Sequence, residues 1–215
     1  MNAGLSPNDT SLTLDDLTPR STDRALFVGM TGSGKTTLAQ ILLRSRAYVV
    51  AVDFKGLLNW PGYEVHTGIR SLANAKAPRL IYRPDYNEIR DEEIQEKVWE
   101  WLYRRGNTTV YVDETAAVTE GNVYPFYYGA CLMRGREHGI ELWSATQRPA
   151  RIPSIVLSES EHVFAFRLRL PQDRERVEAL TMIQREQIAM LPKHEFLYAP
   201  QDGDIQGPLR LDLGA

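Results

Sequence analysis

Residues 29–36 read Gly-Met-Thr-Gly-Ser-Gly-Lys-Thr, a G-x-x-x-x-G-K-[ST] segment with every fixed position filled. Glycines at 29, 32 and 34 let the backbone curl and approach an anion closely. Upstream, Arg24–Val28 (RALFV) is a short apolar run that predicts a buried strand. Downstream, Lys35–Arg44 (KTTLAQILLR) sets Leu38, Ile41 and Leu42 at helical spacing. A chance match to the bare pattern arises in about one chain in a hundred of this length, and the flanking strand and helix lower that further. The segment therefore reads as a phosphate loop, with its N–H groups and the following helix N-terminus facing the anion. Gly29, Thr31, Gly32, Ser33, Gly34, Lys35, Thr36 and Thr37 are the expected nucleotide-binding set. Lys35 is expected on the β- and γ-phosphates of ATP, and Thr36 on Mg²⁺ through its hydroxyl.

Beyond the loop, strand and helix signals alternate. Strands are predicted at Tyr48–Asp53, Leu80–Arg83, Thr109–Asp113, Ile140–Thr146 and Val163–Leu168, with a closing pair at Glu195–Ala199 and Leu209–Leu213. Helices are predicted at Asp91–Arg105, Pro125–His138, Asp173–Leu180 and Arg185–Leu191. Several strands are uniformly apolar, which implies an α/β domain whose mainly parallel sheet is covered by helices on both faces. Residues 1–22 are polar and read as an N-terminal arm, with a short helical turn around Leu12–Leu17; residues 23–215 read as one domain.

The composition agrees with a folded chain. Of 215 residues, 43% are hydrophobic and 25% charged, which excludes wholesale disorder. No apolar run reaches membrane-spanning length, and the start MNAGLSPNDTSLTLDD lacks a signal-peptide pattern. The single cysteine, Cys131, permits no intrachain disulfide, reads as a buried thiol and points to a cytoplasmic location. Four scattered histidines, at 66, 138, 162 and 194, make no metal-ligand spacing. The net charge of −3 sets this chain apart from proteins that bind polyanions over their whole surface. Nucleic acid would have to meet a local patch or an assembled channel.

Val110-Tyr111-Val112-Asp113-Glu114 is an apolar strand ending in two acids. Asp113 is the expected second element of the Mg²⁺ site, and Glu114 beside it the expected general base that polarises an attacking water. A kinase positions an acceptor hydroxyl instead and needs no such glutamate. Leu142–Pro149 (LWSATQRP) is a strand ending in a polar amide, where Gln147, with Thr146 second, is expected to contact the γ-phosphate. Arg134 and Arg136, in MRGREHG, close a predicted helix. They either complement its dipole or serve, Arg136 first and Arg134 second, as an arginine finger in a neighbour's site, which requires a ring of subunits.

The segments VGMTGSGKTT, VYVDE, RGREHGIELWSATQRP and SESEHVFAFRLRLPQDRERVEAL together resemble the FtsK–HerA superfamily of RecA-like P-loop ATPases. Val49–Gly56 (VVAVDFKG) is similar to that family's second strand and its Asp-x-Lys-Gly-like turn. The resemblance spans roughly residues 24–200. The short chain looks most like the genome-packaging ATPases of membrane-containing icosahedral DNA viruses, which are little more than the motor core. That resemblance implies a homohexamer with ATP sites between subunits and double-stranded DNA in a central channel. It implies work on a preformed capsid or vertex protein, in the host cytoplasm or at the virion vertex. It also implies Lys35 and Thr36 on phosphate and Mg²⁺, Asp113 on Mg²⁺, Glu114 as base, Gln147 as sensor and Arg136 as trans finger.

A ring repeats each channel-facing cation in every subunit, which lets an acidic chain grip phosphates without reading sequence. Lys55, the loop Thr115–Tyr124, Arg148 and Arg151 are the candidates, each equally an ordinary surface group. Tyr124, Phe126, Tyr127 and Tyr128 read as a packed helix face ahead of a base-stacking platform, and Trp99 and Trp101 as packing residues. The alternatives to a packaging motor are a cellular or plasmid DNA pump, an ATP-gated assembly protein and a small-molecule kinase.

Overall fold

The computed structural model describes residues 4–5, 13–119 and 122–212. Its strands are β1 (Gly4–Leu5), β2 (Ala25–Val28), β3 (Val49–Val52), β4 (Glu64–Thr67), β5 (Arg79–Arg83), β6 (Thr108–Val112), β7 (Ile140–Thr146), β8 (His162–Phe166), β9 (Glu195–Pro200) and β10 (Gln206–Asp212), the central ones, β2, β3, β6 and β7, being short and fully buried. Between them lie α1 (Leu14–Leu17), α2 (Lys35–Leu42), α3 (Ile69–Ala73), α4 (Glu92–Arg105), α5 (Phe126–Arg134), α6 (Ser154–Ser158), α7 (Pro171–Thr181) and α8 (Arg185–Met190). The strands make one sheet in the order β1-β10-β9-β8-β2-β7-β6-β3-β5-β4. From β8 to β4 every pairing is parallel. β9, β10 and β1 continue the sheet antiparallel.

Strand residues alternate between two apolar cores, one on each face. Leu26 and Val28 of β2 and Val50 and Val52 of β3 enter the core shared with α4, α5 and α7. Ala25 and Phe27, with Val49 and Ala51, enter the core shared with α2. Both faces are thus buried, as uniformly apolar parallel strands require.

Asp91 caps α4, its carboxylate accepting from Ile94 N–H at 3.0 Å. Trp99 and Tyr128 are fully buried, with T-shaped rings at 4.7 Å. Cys131 is buried, and burial pushes its thiol pKa up to about 12. The helix predicted over Pro125–His138 stops at Arg134, and Gly135–His138 tightens into a 3₁₀ turn. A Cβ on Gly135 would stand 3.2 Å from Ile140 Cβ, so the turn lies close against the start of β7.

In the predicted arm, Leu17 is buried in the α2-side core, and the carbonyls of Pro19 and Arg20 accept from the Arg46 guanidinium. Leu12, where the predicted helical turn begins, lies outside the described residues.

Candidate active site

In a parallel sheet, the loops at the carboxyl ends of neighbouring strands share one edge. β7 lies between β2 and β6, with Val28 opposite Thr146 and Val112 opposite Ser144. That order gathers the phosphate loop after β2, the acid pair after β6 and Gln147 after β7.

The loop is tied down through its backbone. Gly29 N–H donates to Thr146 C=O at 3.2 Å, and Met30 N–H to Arg167 C=O at 3.0 Å. Gly29 and Gly34 have φ of +154° and +112°. Their missing side chains make room, because a Cβ would stand 2.6 Å from Phe166 Cβ at Gly29 and 2.8 Å from Leu211 Cδ1 at Gly34. Gly32 and Thr31 are exposed at the loop's crest, and Thr37 is half-buried in the first turn of α2. Ser33 Oγ is buried with no hydrogen-bond partner.

Lys35 is 6% exposed. Its ammonium donates to the carbonyls of Gly29 at 2.7 Å and Met30 at 3.1 Å. Burial lowers its pKa to about 8, with the nearby charge of Lys55 acting in the same direction. Next to it, Thr36 Oγ1 donates to Asp113 Oδ1 at 2.9 Å, and Tyr111 OH to the same oxygen at 3.2 Å. Thr36 and Asp113 thus place two hard oxygen donors together beside the loop, a set that fits a magnesium ion.

Glu114 and Gln147 are held in place too. Thr146 Oγ1 donates to Glu114 Oε1 at 2.8 Å, while Thr31 Oγ1 donates to Gln147 Oε1 at 2.7 Å. The amide therefore touches the phosphate loop directly.

Lys35, Thr36, Asp113, Glu114 and Gln147 come together as the sequence predicts. Arg134 and Arg136 do not join them. They precede the amino end of β7, whereas the loop lies at its carboxyl end, about 20 Å along the strand. Arg136 Nη2 donates to Glu161 Oε1 at 2.6 Å, with Asp23 Oδ1 at 3.8 Å, and its side chain stays half-exposed.

Lys55 corrects the expectation of a channel cation. Its Nζ lies 3.1 Å from Glu114 Oε2 and 3.5 Å from Asp113 Oδ2, inside the site. The VDFKG turn was the signal available for it, but a turn alone does not reveal which way its lysine points. Arg148 is bound to the buried Asp173 at 2.9 Å, whereas Arg151 is exposed. Of the loop Thr115–Tyr124, Thr115 and Thr119 are buried, and Glu120 and Gly121 lie outside the described residues. In the aromatic cluster Tyr128 is buried, Tyr124 and Tyr127 are half-buried and Phe126 is exposed. Trp99 is buried, and Trp101 packs under the Arg105 guanidinium at 5.2 Å. Among the described residues, no group of His, Cys, Asp and Glu side chains forms a separate metal site.

Sheet order, phosphate loop and strand-borne acid pair together define the P-loop ATPase fold. The chain is 28% identical over 186 residues to the DNA packaging ATPase P9 of Enterobacteria phage PRD1, covering 81% of this chain and 77% of that one. It is 27% identical over 195 residues to Protein P9 of Pseudoalteromonas phage PM2, covering 83% and 85%. The genome packaging NTPase B204 of Sulfolobus turreted icosahedral virus 2 has the same fold, with a TM-score of 0.72 at 17% identity over 89% of this chain and 97% of that one. No family model matches the chain. The resemblance to viral genome-packaging ATPases, read from the motifs, is matched by these relatives.

Proposed function

We propose that this protein is an ATP-hydrolysing motor that packages double-stranded viral DNA. The relationship that carries the reading is the convergence of Lys35, Thr36, Asp113, Glu114 and Gln147 at one sheet edge. Packaging rests on the relatives, since P9 of phage PRD1 is a DNA packaging ATPase and B204 a genome packaging NTPase. Solved structures of B204 in complex with ATPγS and AMPPCP support a nucleotide in the loop. The relatives favour neither a cellular pump nor an ATP-gated assembly protein.

In this reading the N–H groups of residues 29–37 cradle the phosphates, and the Lys35 ammonium moves from loop carbonyls to the β- and γ-phosphate oxygens. Thr36 and Asp113 would hold Mg²⁺, which neutralises phosphate charge when bound. Glu114, oriented by Thr146, accepts a proton from the attacking water as its oxygen bonds to the γ-phosphorus. The bond from that phosphorus to the β-bridging oxygen breaks, and ADP leaves with the bonding electrons. Gln147 lies between loop and base, where it reports loss of the γ-phosphate to β7.

Arg136, with Arg134 second, completes a neighbour's site in a homohexamer whose channel holds DNA. Its distance from its own loop and its half-exposed side chain support a role in trans. Residues 23–215 form the motor, with residues 1–22 as an arm. It works in the host cytoplasm or at a virion vertex, against a capsid or vertex protein. No helix among the described residues is long and apolar enough to cross a membrane.

Triplex displacement tests the reading. ATP-dependent removal of a third strand from long duplex DNA is expected for the wild type and absent for Lys35→Ala. A wild-type protein that hydrolyses ATP yet never displaces the strand contradicts translocation.

A further inference from the structure

Lys55 sits where no simple structural role accounts for it. Its ammonium bridges the two acids assigned to metal and base, at 3.5 Å from Asp113 and 3.1 Å from Glu114. The loop that carries it is built to hold it there. Asp53, fully buried, accepts from the N–H groups of Leu57 at 3.1 Å and Leu58 at 3.0 Å. Arg83 clamps the same carboxylate at 3.0 Å and donates to Leu58 C=O at 2.8 Å. The turn is therefore locked at both ends, and Lys55 projects from it with about a third of its side chain exposed. Its charge also lowers the pKa of Lys35, second only to burial.

We propose that Lys55 is a further phosphate-binding residue of the ATP site, neutralising the Asp113–Glu114 pair when no γ-phosphate is present and donating to the γ-phosphate when ATP is bound. This rests on the ATPase reading above. The physical logic is charge balance. Two adjacent carboxylates repel an incoming triphosphate, and a cation on a short, clamped turn offsets them. Glu114 must also release a cation before it accepts a proton, and the γ-phosphate offers Lys55 a stronger charge-assisted partner. A diphosphate ends short of that partner, so Lys55 makes the site respond to ATP over ADP. Lys55 is then a cation supplied by the subunit that carries the loop, distinct from Arg136.

The experiment compares binding of mant-ATPγS and mant-ADP, with steady-state ATP hydrolysis, in wild type, Lys55→Met, Lys55→Arg and the exposed control Lys76→Met. Lys55→Met should lose about tenfold in ATPγS affinity and less than about twofold in ADP affinity, with kcat down about a hundredfold. Retained ADP binding shows that the fold survives. Lys55→Arg should recover part of both losses, and Lys76→Met should match wild type. Wild-type ATPγS affinity and turnover in Lys55→Met, or equal loss of both nucleotides, overturns the inference and leaves the ATPase reading standing. A wild type that binds neither nucleotide overturns that reading and the inference with it.

Discussion

Thr146 Oγ1 donates to Glu114 Oε1 across 2.8 Å, joining the last residue of β7 to the acid that follows β6. The same hydroxyl accepts from Arg148 N–H at 3.0 Å, so the base is referenced to the backbone of the adjacent strand rather than to solvent. Glu114→Gln keeps an oxygen for the Thr146 hydroxyl but loses the charge that faces Lys55 and cannot take a proton. Its turnover should fall by about 10²–10⁴ with nucleotide binding retained. Thr146→Val removes that hydroxyl, leaves Lys55 as the carboxylate's remaining side-chain partner, and should cost about tenfold in kcat with little change in KM. Single-turnover hydrolysis and equilibrium binding measure both.

Gln147 touches the phosphate loop through Thr31, with 2.7 Å between the side-chain oxygens. Gln147→Ala removes that contact without disturbing the buried strand. Nucleotide affinity should stay within about threefold of wild type while kcat falls by more than about tenfold. Thr31→Val should reproduce part of the loss, since it breaks the same bond from the other side.

Lys35 carries a pH signature. Its pKa is lowered, chiefly by burial, from 10.5 to about 8 in the folded chain. Between those values the unfolded chain binds more protons than the folded one, so the penalty for the buried charge is full below pH 8 and disappears toward pH 10.5. Relative to Lys35→Met, which has no such group, nucleotide-free wild type should gain a few kcal/mol of stability over that interval. Urea unfolding of both proteins at about pH 7, 9 and 11, below, within and above that interval, checks the slope.

Cys131, buried on α5 with its thiol pushed up to about 12, should ignore an aromatic disulfide reagent in the native protein and react fully in denaturant. Rapid labelling under native conditions would mean that α5 opens away from the sheet.

Much of this architecture was legible in the sequence because buried parallel strands have to be apolar. β7 begins and ends at the predicted residues, Ile140 and Thr146, and β2, β3, β6 and β8 fall within one or two residues of theirs. β4 escaped notice because Glu64–Thr67 is an exposed edge strand with neither an apolar run nor alternation. The short helices α3 and α6 lack the length for a periodic signal. At the site, Lys35, Thr36, Asp113, Glu114 and Gln147 were readable because each follows a strand whose position in the sheet places it. Lys55 was not readable as a site residue. Its direction is set by the clamp between Asp53 and Arg83, residues thirty apart that local pattern does not connect.

Steady-state ATP hydrolysis with and without long double-stranded DNA, using wild type, Arg136→Ala and mixtures of the two, tests the central claim most directly. A shared-site ring motor predicts that DNA raises turnover, that Arg136→Ala is inactive yet binds nucleotide, and that small amounts of it poison the wild type. Turnover indifferent to DNA, with Arg136→Ala as active as wild type, would contradict a DNA motor that shares catalysis between subunits.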